Sequence, residues 1–287
     1  MVNLNLKMKQ GISVCMILYN EGDTIRDSLE SVKEIADEIL IVHDGPCKNN
    51  TLDICKEYTK NIFVREHKGI CEYHQAFLYR KAKYNWILKI DADESLSKPL
   101  QKNIRKLIKN PSADAYSFIW PYWDGKKEIT FGWPKKVTLY RKDKISYLGF
   151  ANWGEPTING KTISTNYKIE HHPSRGDPTT WLTFKNRDLR FALLWQAKDA
   201  VRNFEDFDRF QYQGSTFPKK LLIRLKYPLL SAPFLGIAAS LKTLFSKAIF
   251  KNIKIILKTS LYAFIRSFYY GGYIYHLQKN PNWKRKD

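Results

Sequence analysis

The chain has 287 residues, of which 44% are hydrophobic and 14% are aromatic. This length and composition allow one large globular domain or a domain and a half, and they exclude an intrinsically disordered chain. Lys and Arg outnumber Asp and Glu by 48 to 28, so the formal net charge is +20 and negatively charged partners are favoured.

The four cysteines and the first apolar segment bear on the compartment. Because the cysteines show no Cys-x-x-Cys spacing, we expect reduced, cytosol-facing thiols and neither a zinc site nor a disulfide framework. The apolar segment Ile12–Tyr19 is followed by Asn20 and Glu21, where a signal peptide would have small residues, so we expect no secretory signal peptide. The cysteines are Cys15, Cys47, Cys55 and Cys71.

Three short apolar segments in the first 65 residues are predicted strands, and polar residues follow each of them. The segments are Ile12–Leu18, Ile39–Val42 and Ile62–Val64. Helical patterns over about residues 23–34, 52–59 and 72–83 lie between and after them. This alternation predicts right-handed βαβ units and a parallel sheet with a cleft along the carboxyl ends of its strands.

A fourth predicted strand, Trp86–Ile90, ends in three acids, Asp91, Asp93 and Glu94. In an extended chain Asp-x-Asp places two carboxylates on the same side, where they repel each other unless a cation lies between them. Oxygen ligands suit Mg²⁺ or Mn²⁺ holding a diphosphate. The alternative is a solvated acidic turn that caps the next helix.

Three motifs together resemble family 2 glycosyltransferases of the GT-A fold. They are Ile12–Glu21, Val42–Gly45 with Thr51, and Asp91–Asp93, and the resemblance is dense over residues 11–95 and looser to about 175. It implies an α/β fold, a Rossmann-like, mostly parallel sheet flanked by helices. We expect this domain over residues 1–215 and a basic amphipathic helical C-terminal region over residues 216–287.

The resemblance also implies an inverting sugar transfer from a nucleotide sugar, a UDP-sugar by default, with Mn²⁺ or Mg²⁺ as cofactor. The metal would be held by Asp91 and Asp93 and by a histidine after the predicted strand Thr162–Ile169, either His171 or His172. The nucleotide sugar would contact Leu18, Asn20, Glu21, Asp44 and Asp91, with Lys68 and His74 as further candidates.

The general base is sought after the predicted strand Val137–Arg141. Relatives have a Gly-rich stretch ending in His-Glu, and here Glu155 follows Gly154, which stands where the histidine would be. The resemblance therefore implies Glu155 as base, with Asp143 and Glu170 as the next candidates, and a plain loop carboxylate before Pro156 as the alternative. Four tryptophans, either platforms for the acceptor or core residues, are Trp120, Trp123, Trp133 and Trp153.

The C-terminal quarter is strongly basic. From residue 217 to 287 there are fourteen Lys and Arg and a single acid. Helical spacing over Leu241–Lys258 predicts an amphipathic helix with apolar residues on one side and Lys247, Lys251, Lys254 and Lys258 on the other, which favours an anionic membrane surface over an ordinary surface helix.

Two neighbouring segments support this interpretation. Tyr227–Leu241 has no charge but contains Pro228 and Pro233, and it is short for a membrane span. Ser260–Leu277 is rich in tyrosine around Arg266, as in interfacial helices. We expect peripheral attachment to the cytoplasmic face of the membrane, with a re-entrant hairpin as the alternative.

These expectations combine into one function and two alternatives. The sequence predicts a glycosyltransferase that acts on a hydroxyl of a glycan or of a polyprenyl or other lipid-linked acceptor, in cell-envelope or lipid-linked glycan synthesis. One alternative is a non-catalytic GT-A-like scaffold at the membrane. The other is a nucleic-acid-binding protein, which we do not expect because the basic residues alternate with Leu, Ile and Phe at helical spacing.

Overall fold

A computed structural model describes residues 9–123, 125–130, 134–151, 155–173, 184–202, 207–212, 219–245 and 253–283. Ten strands are described. They are β1 Lys9–Leu18, β2 Glu38–Asp44, β3 Ile62–Arg65, β4 Tyr84–Lys89, β5 Glu94–Leu96, β6 Ala115–Ile119, β7 Lys135–Arg141, β8 Ile145–Ser146, β9 Thr157–Ile158 and β10 Thr162–His171. The helices are α1 Ile25–Val32, α2 Thr51–Lys56, α3 Glu72–Lys81, α4 Lys98–Lys109, α5 Leu193–Val201, α6 Lys219–Lys226, α7 Pro228–Leu244 and α8 Ile253–Lys279, with a 3₁₀ turn at Lys142–Lys144 and a π-helical segment at Phe184–Ala192.

Eight of the strands form one mixed sheet in the order β3-β2-β1-β4-β7-β6-β10-β5. The neighbouring pairs among β3, β2, β1 and β4 are parallel, so their carboxyl ends meet at one edge. β7 runs antiparallel to both β4 and β6, and β10 is parallel to β6. The predicted strands and the predicted α/β class with a largely parallel sheet are confirmed.

The sheet is held by apolar side chains that the sequence places on both of its faces. Residues of β1 alternate between two buried clusters, with Val14 and Met16 in one and Cys15 in the other. Each such side chain contributes about 1.5–3 kcal/mol when it is fully buried. Burial on both faces explains why the parallel strands are continuous apolar segments without polar alternation.

The C-terminal helices α7 and α8 form an antiparallel hairpin. Gly271 lies against the backbone of Pro228, the Ser267 hydroxyl donates to the Ala232 carbonyl at 2.8 Å, and Gly236 contacts Phe264. The two prolines of the charge-free segment both belong to α7. Pro228 begins the helix, a position that tolerates proline, and Pro233 lies inside it.

The structure corrects the predicted single helix Leu241–Lys258. Helix α7 ends at Leu244, with Phe245 as its C-cap, and α8 begins at Ile253, so two different helices carry the ends of the segment. The residues of the predicted apolar side, which was expected to lie on a membrane, are partly buried and partly exposed. Ile256 is buried, but Ile253 and Leu257 are 60% and 56% exposed. Lys247 and Lys251 lie outside the described residues.

A further buried cluster, separate from the two on the faces of the sheet, crosses the predicted boundary between residues 215 and 216. It joins Phe150 and Leu193 from the first region to Leu221, Tyr270 and Ile274 of the C-terminal helices. The C-terminal helices therefore share a core with the region that precedes them, and the two-domain division stays a prediction. Within the described residues, no helix is both long and apolar enough to cross a membrane.

Candidate active site

The candidate site lies at the edge where the carboxyl ends of β1, β2 and β4 meet. Glu21 follows β1, Asp44 ends β2, and Asp91 and Asp93 follow β4. Ligands of open α/β sheets bind outside this edge. The pairing register of the neighbouring strands brings further residues, from later in the chain, to the same edge.

Antiparallel pairing brings the start of β7 beside the end of β4. Leu139 pairs with Leu88, which places Lys136 across from Asp91. β6 ends at the same edge, before Trp120, and β10, parallel to β6, ends there with His171. The site is therefore assembled from six strands, which span the chain from β1 to β10.

Asp91 is held by two lysines. Its carboxylate lies 2.7 Å from Lys136 Nζ and 3.1 Å from Lys89 Nζ. Lys136 also pairs with the fully buried Glu94, whose carboxylate accepts a hydrogen bond from the Trp120 indole N–H. Two carboxylates and two ammonium groups thus form one compact charge network at the sheet edge.

The network keeps Asp91, Lys89 and Lys136 charged. Burial raises the pKa of Asp91, but Lys136 and Lys89 outweigh it and hold the pKa of that carboxyl well below its usual range. Burial lowers the pKa of each lysine, but the carboxylate of Asp91 raises both above the ordinary lysine value, with Glu94 adding to this effect. Such strongly shifted groups in a cleft are typical of functional sites, although structural ion pairs produce them too.

Asp93 and His171 fit a divalent cation better than Asp91 does. The Asp93 carboxylate lies 3.7 Å from His171 Nε2, and the His171 ring stacks on Trp120 with 4.0 Å between ring centroids. A carboxylate and an imidazole nitrogen at this separation can share one cation. The carboxylate of Asp91 is already neutralised by two ammonium groups, so a cation there would meet positive charge.

The two candidate histidines therefore occupy different surroundings. His172 is exposed, and its ring lies 4.4 Å from that of Trp123. Its ligand atom lies within 4.8 Å of those of Glu128 and Glu170, and Lys168 pairs with both of these acids. The structure thus places His171, and not the His172 ring, beside Asp93.

Polar residues at the end of β1 connect it to β2. Asn20 has a positive φ of 58°, a conformation that Asn tolerates better than most residues. Its side chain accepts the Lys48 N–H at 2.7 Å, and its own N–H donates to His43. Burial raises the pKa of Glu21 to about 6, and the negative charges of Asp93 and Asp91 add to this rise, so Glu21 lies close to the two acids.

Asp44 holds the loop that follows β3. Its carboxylate accepts the backbone N–H groups of Lys68 and Gly69 at 2.6 and 2.9 Å and the Nε2–H of His74 at 2.8 Å. Arg65 donates to His74 Nδ1, which leaves the proton on Nε2. Burial raises the pKa of Asp44, but these hydrogen bonds outweigh burial and lower it. The structure therefore brings Asp44, Lys68 and His74 together, and their contact with a nucleotide sugar stays a prediction.

Leu18 and Lys68 take different places from those expected of ligand-binding side chains. The Leu18 side chain is buried in the main core, so only its backbone can face a nucleotide. The Lys68 side chain is exposed and pairs with Glu66, while its backbone N–H binds Asp44. Their nucleotide contacts stay a prediction, and the burial of the Leu18 side chain limits any such contact of Leu18 to its backbone.

Glu155 lies near the lysines of the charge network. Its side chain is exposed, yet the surrounding protein raises its pKa, and the charges of Lys136 and Lys89 oppose that rise. A carboxyl group poised in this way, at the site and open to solvent, suits a general base.

The other two candidate bases are less suitably placed. Asp143 pairs with Arg141, which lies opposite Trp86 at the amino end of β4, so Asp143 is at the other edge of the sheet. Glu170 is bound to Lys168 at 2.9 Å.

Two of the candidate tryptophans lie on the β10 side of the site. The Trp120 ring packs against the His171 ring, and the Trp123 ring packs against the His172 ring. Trp133, Trp153 and Gly154 lie outside the described residues.

Lys136, Lys89 and the role of Glu94 were not expected from the sequence. Glu94 belongs to the acidic run, but nothing in its spacing separates it from a helix-capping acid. Lys136 lies 45 residues after Asp91, and only the β4–β7 register joins the two. The one available signal was Lys89, a lysine inside an apolar strand next to two acids.

Comparison with known proteins assigns the family. The family model for Glycosyl transferase family 2 matches residues 13–170, more than half of the chain. The chain belongs to glycosyl transferase family 2. The matched range covers the four parallel strands, the acidic edge and β10. The resemblance seen in the sequence is confirmed, and with it the GT-A type of α/β fold.

Relatives of the family 2 chain include several glycosyltransferases described as uncharacterized. One from Rickettsia bellii is 32% identical over 53% of this chain and 50% of its own length. One from Rickettsia typhi is 31% identical over 70% of this chain and 71% of its own length. The poly-beta-1,6-N-acetyl-D-glucosamine synthase of Staphylococcus aureus is 31% identical over 32% of this chain and 24% of its own length. The chain spans about half the length of the first of these relatives.

Two solved structures are more distant. S. aureus TarS in complex with UDP-GlcNAc is 15% identical, with a TM-score of 0.45 over 97% of this chain and 94% of that one. Glucosyl-3-phosphoglycerate synthase of Mycobacterium tuberculosis with Mn²⁺ and UDP-glucose is 15% identical, with a TM-score of 0.32 over 39% of this chain and 44% of that one. At these values the likeness carries no argument about function.

Proposed function

We propose that this family 2 chain transfers a sugar, with inversion, from a nucleoside-diphosphate sugar to a hydroxyl of a membrane-held acceptor. The observation that carries the proposal is the acidic sheet edge, where Asp91, Asp93 and Glu21 lie together beside the Asp44 loop. A UDP-sugar is the default donor. A glycan or a lipid-linked acceptor of the cell envelope is the proposed substrate.

In this proposal the donor lies across the carboxyl ends of β1, β2 and β4. The base and ribose contact the backbone of Leu18, the turn at Asn20 and the loop that Asp44 holds. A divalent cation bound by Asp93 and His171, Mn²⁺ rather than Mg²⁺ because of the imidazole ligand, would neutralise the leaving diphosphate. Lys136 and Lys89 hold Asp91 in place and add positive charge on the same side.

Glu155 is the proposed general base. It takes the proton from the acceptor hydroxyl as that oxygen attacks the sugar carbon from the side opposite the diphosphate. Lys136 supports both parts of the site, because its ammonium group binds Asp91 and its positive charge acts on Glu155. The acceptor then approaches from the β7 side, next to Trp120.

We further propose that the α7–α8 hairpin attaches the enzyme to the cytoplasmic face of an anionic membrane. Side chains spaced at helical intervals on its outer surface are well exposed, among them Leu230 (71%), Phe234 (74%) and Phe245 (76%). Exposed apolar surface on this scale favours a membrane or a protein partner. The basic composition of residues 217–287 favours the anionic membrane.

The experiment that tests the transferase proposal is a calorimetric titration of the full chain with a panel of nucleotide sugars and Mn²⁺. We expect one UDP-sugar to bind more tightly than free UDP and the other donors. A panel in which none binds would remove the catalytic proposal and favour the non-catalytic scaffold.

A further inference from the structure

A cavity of about 340 Å³ lies among the C-terminal helices, away from the acidic edge. Its size falls within the range of about 300–1,000 Å³ that is typical of small-molecule sites. Helices α5, α6, α7 and α8 all contribute to its walls. Leu193, Leu221, Ala239 and Ala263 supply apolar surface.

The polar residues of the cavity are mostly cationic. Lys220, Arg224 and Arg266 line it, together with Gln196, Ser267 and Tyr270, and none of the ten lining residues is acidic. Asp199 lies near enough for its charge to raise the pKa of Tyr270. Its carboxylate is already bound to Tyr73, to the Ala151 N–H and to Arg202. Among the described lining residues, the charge is therefore positive.

Arg224 and Tyr270 present buried polar atoms to this space. The Arg224 side chain donates to Ser267 at 3.3 Å and lies 4.9 Å from the centre of the Tyr270 ring. Within the described part of the chain, its Nη1 and the Tyr270 hydroxyl are buried and have no hydrogen-bond partner. A buried donor without a partner is destabilising, so an anion that accepts hydrogen bonds from both groups would be bound favourably.

We infer that this cavity binds the phosphate group of a lipid, with Arg224, Arg266 and Lys220 around the phosphate and the apolar walls around the first carbons of the chain. Guanidinium groups bind phosphate through two parallel hydrogen bonds, and the described walls of the cavity carry two of them. Helices α7 and α8, which form two of the walls, also carry the exposed apolar surface of the hairpin.

The inference deepens the proposed function, since the acceptor there is lipid-linked. Helix α5 connects the cavity to the catalytic side. Gln196 lines the cavity, and Asp199, one turn later, accepts the Ala151 N–H at 2.8 Å just before the segment that carries Glu155. A lipid phosphate in the cavity would therefore be held on a helix that also binds the Glu155 loop.

The test measures lipid binding by the full chain, in mild detergent, without any transfer reaction. The probes are farnesyl phosphate, a short-chain phosphatidic acid, farnesol and inorganic phosphate. We expect one of the two phosphate-bearing lipids to bind at least about tenfold more tightly than farnesol and inorganic phosphate. The tighter of the two identifies the source of the phosphate as an isoprenoid or a glycerolipid.

Three variants distinguish binding inside the cavity from a general effect of the protein's positive charge. Arg224→Gln should weaken binding of the lipid phosphate about tenfold or more. Ala263→Leu, which fills the cavity without a change of charge, should weaken it as well. Lys226→Gln makes the same loss of charge at an exposed position of α6 and should have less than a twofold effect.

Three results would overturn the inference. They are binding of both phosphate-bearing lipids no tighter than that of farnesol, inorganic phosphate binding as tightly as the tighter of the two lipids, and wild-type lipid affinity in both Arg224→Gln and Ala263→Leu. Circular dichroism establishes that each variant is folded, and Ala263→Leu carries the test if Arg224→Gln is not. UDP-sugar binding measured in the same variants should be unchanged, which keeps a failure here distinct from a failure of the transferase proposal.

Discussion

At the scale of single residues, the site depends on how charge is compensated. Lys136 lies between Asp91 and Glu94, and its side chain is only 14% exposed. The fully buried Glu94 has Lys136, the Trp120 indole N–H and the Asp91 backbone N–H as its partners among the described contacts. Removing one member of such a network leaves a buried charge uncompensated.

Lys136→Met should therefore lower the free energy of unfolding at neutral pH by about 3–5 kcal/mol, measured by urea denaturation. Lys56→Met removes a lysine from the exposed pair with Asp53 and should change the free energy of unfolding far less, because solvent screens that pair. Equal unfolding free energies for the two variants would show that the network contributes nothing to stability.

The ion pair of Asp91 with Lys136 predicts that the stability of the protein depends on pH. The pKa of Asp91 is lower in the folded protein than its ordinary value of 3.8, because Lys136 and Lys89 outweigh burial. Its stabilising contribution is thus complete above that ordinary value and is lost as the pH falls toward the folded pKa. The difference in unfolding free energy between wild type and Lys136→Met should accordingly shrink in acid.

A second residue-scale prediction concerns Glu155. Glu155→Gln keeps the shape of the side chain but cannot accept a proton, so turnover should fall by about 10²-fold or more while donor binding survives. Asp143→Asn, at the opposite edge of the sheet, is the matched control and should turn over at the wild-type rate. Near wild-type transfer by Glu155→Gln would place the base elsewhere.

At the scale of elements, the sequence predicts local structure well and long-range pairing poorly. The apolar segments at β1 to β4 specify strands, and the polar residues after them specify one functional edge. The β4–β7 register could not be predicted, because Lys136 reaches Asp91 only after two antiparallel strands have paired. The end of α7 at Leu244 also left no signal, since residues 242–258 contain neither Gly nor Pro.

The hairpin gives an element-scale prediction about the membrane. Replacing Leu230 and Phe234 together by Gln removes exposed apolar surface without altering the net charge, so binding to anionic liposomes should fall severalfold in a flotation assay. Val64→Thr changes an exposed apolar residue on β3 and serves as the control. Unchanged flotation of the Leu230, Phe234 variant would show that this face does not contact the lipid.

At the scale of the whole molecule, one cluster of apolar residues joins the C-terminal helices to the segment before Glu155. Asp199 adds a polar link, since it binds both Tyr73 on α3 and the Ala151 N–H. The basic C-terminal region is therefore packed on the catalytic side of the protein. A membrane-bound hairpin would hold the acidic edge at a set position above the lipid surface.

The central claim is that the acidic edge binds the diphosphate of a nucleotide sugar through a cation at Asp93. Its most direct test is isothermal titration of the preferred UDP-sugar into wild type and Asp93→Asn, each with and without Mn²⁺. We predict that Mn²⁺ tightens binding to the wild type by tenfold or more and has no effect on Asp93→Asn, which stays folded. Equal affinities for the two proteins in Mn²⁺ would contradict the claim.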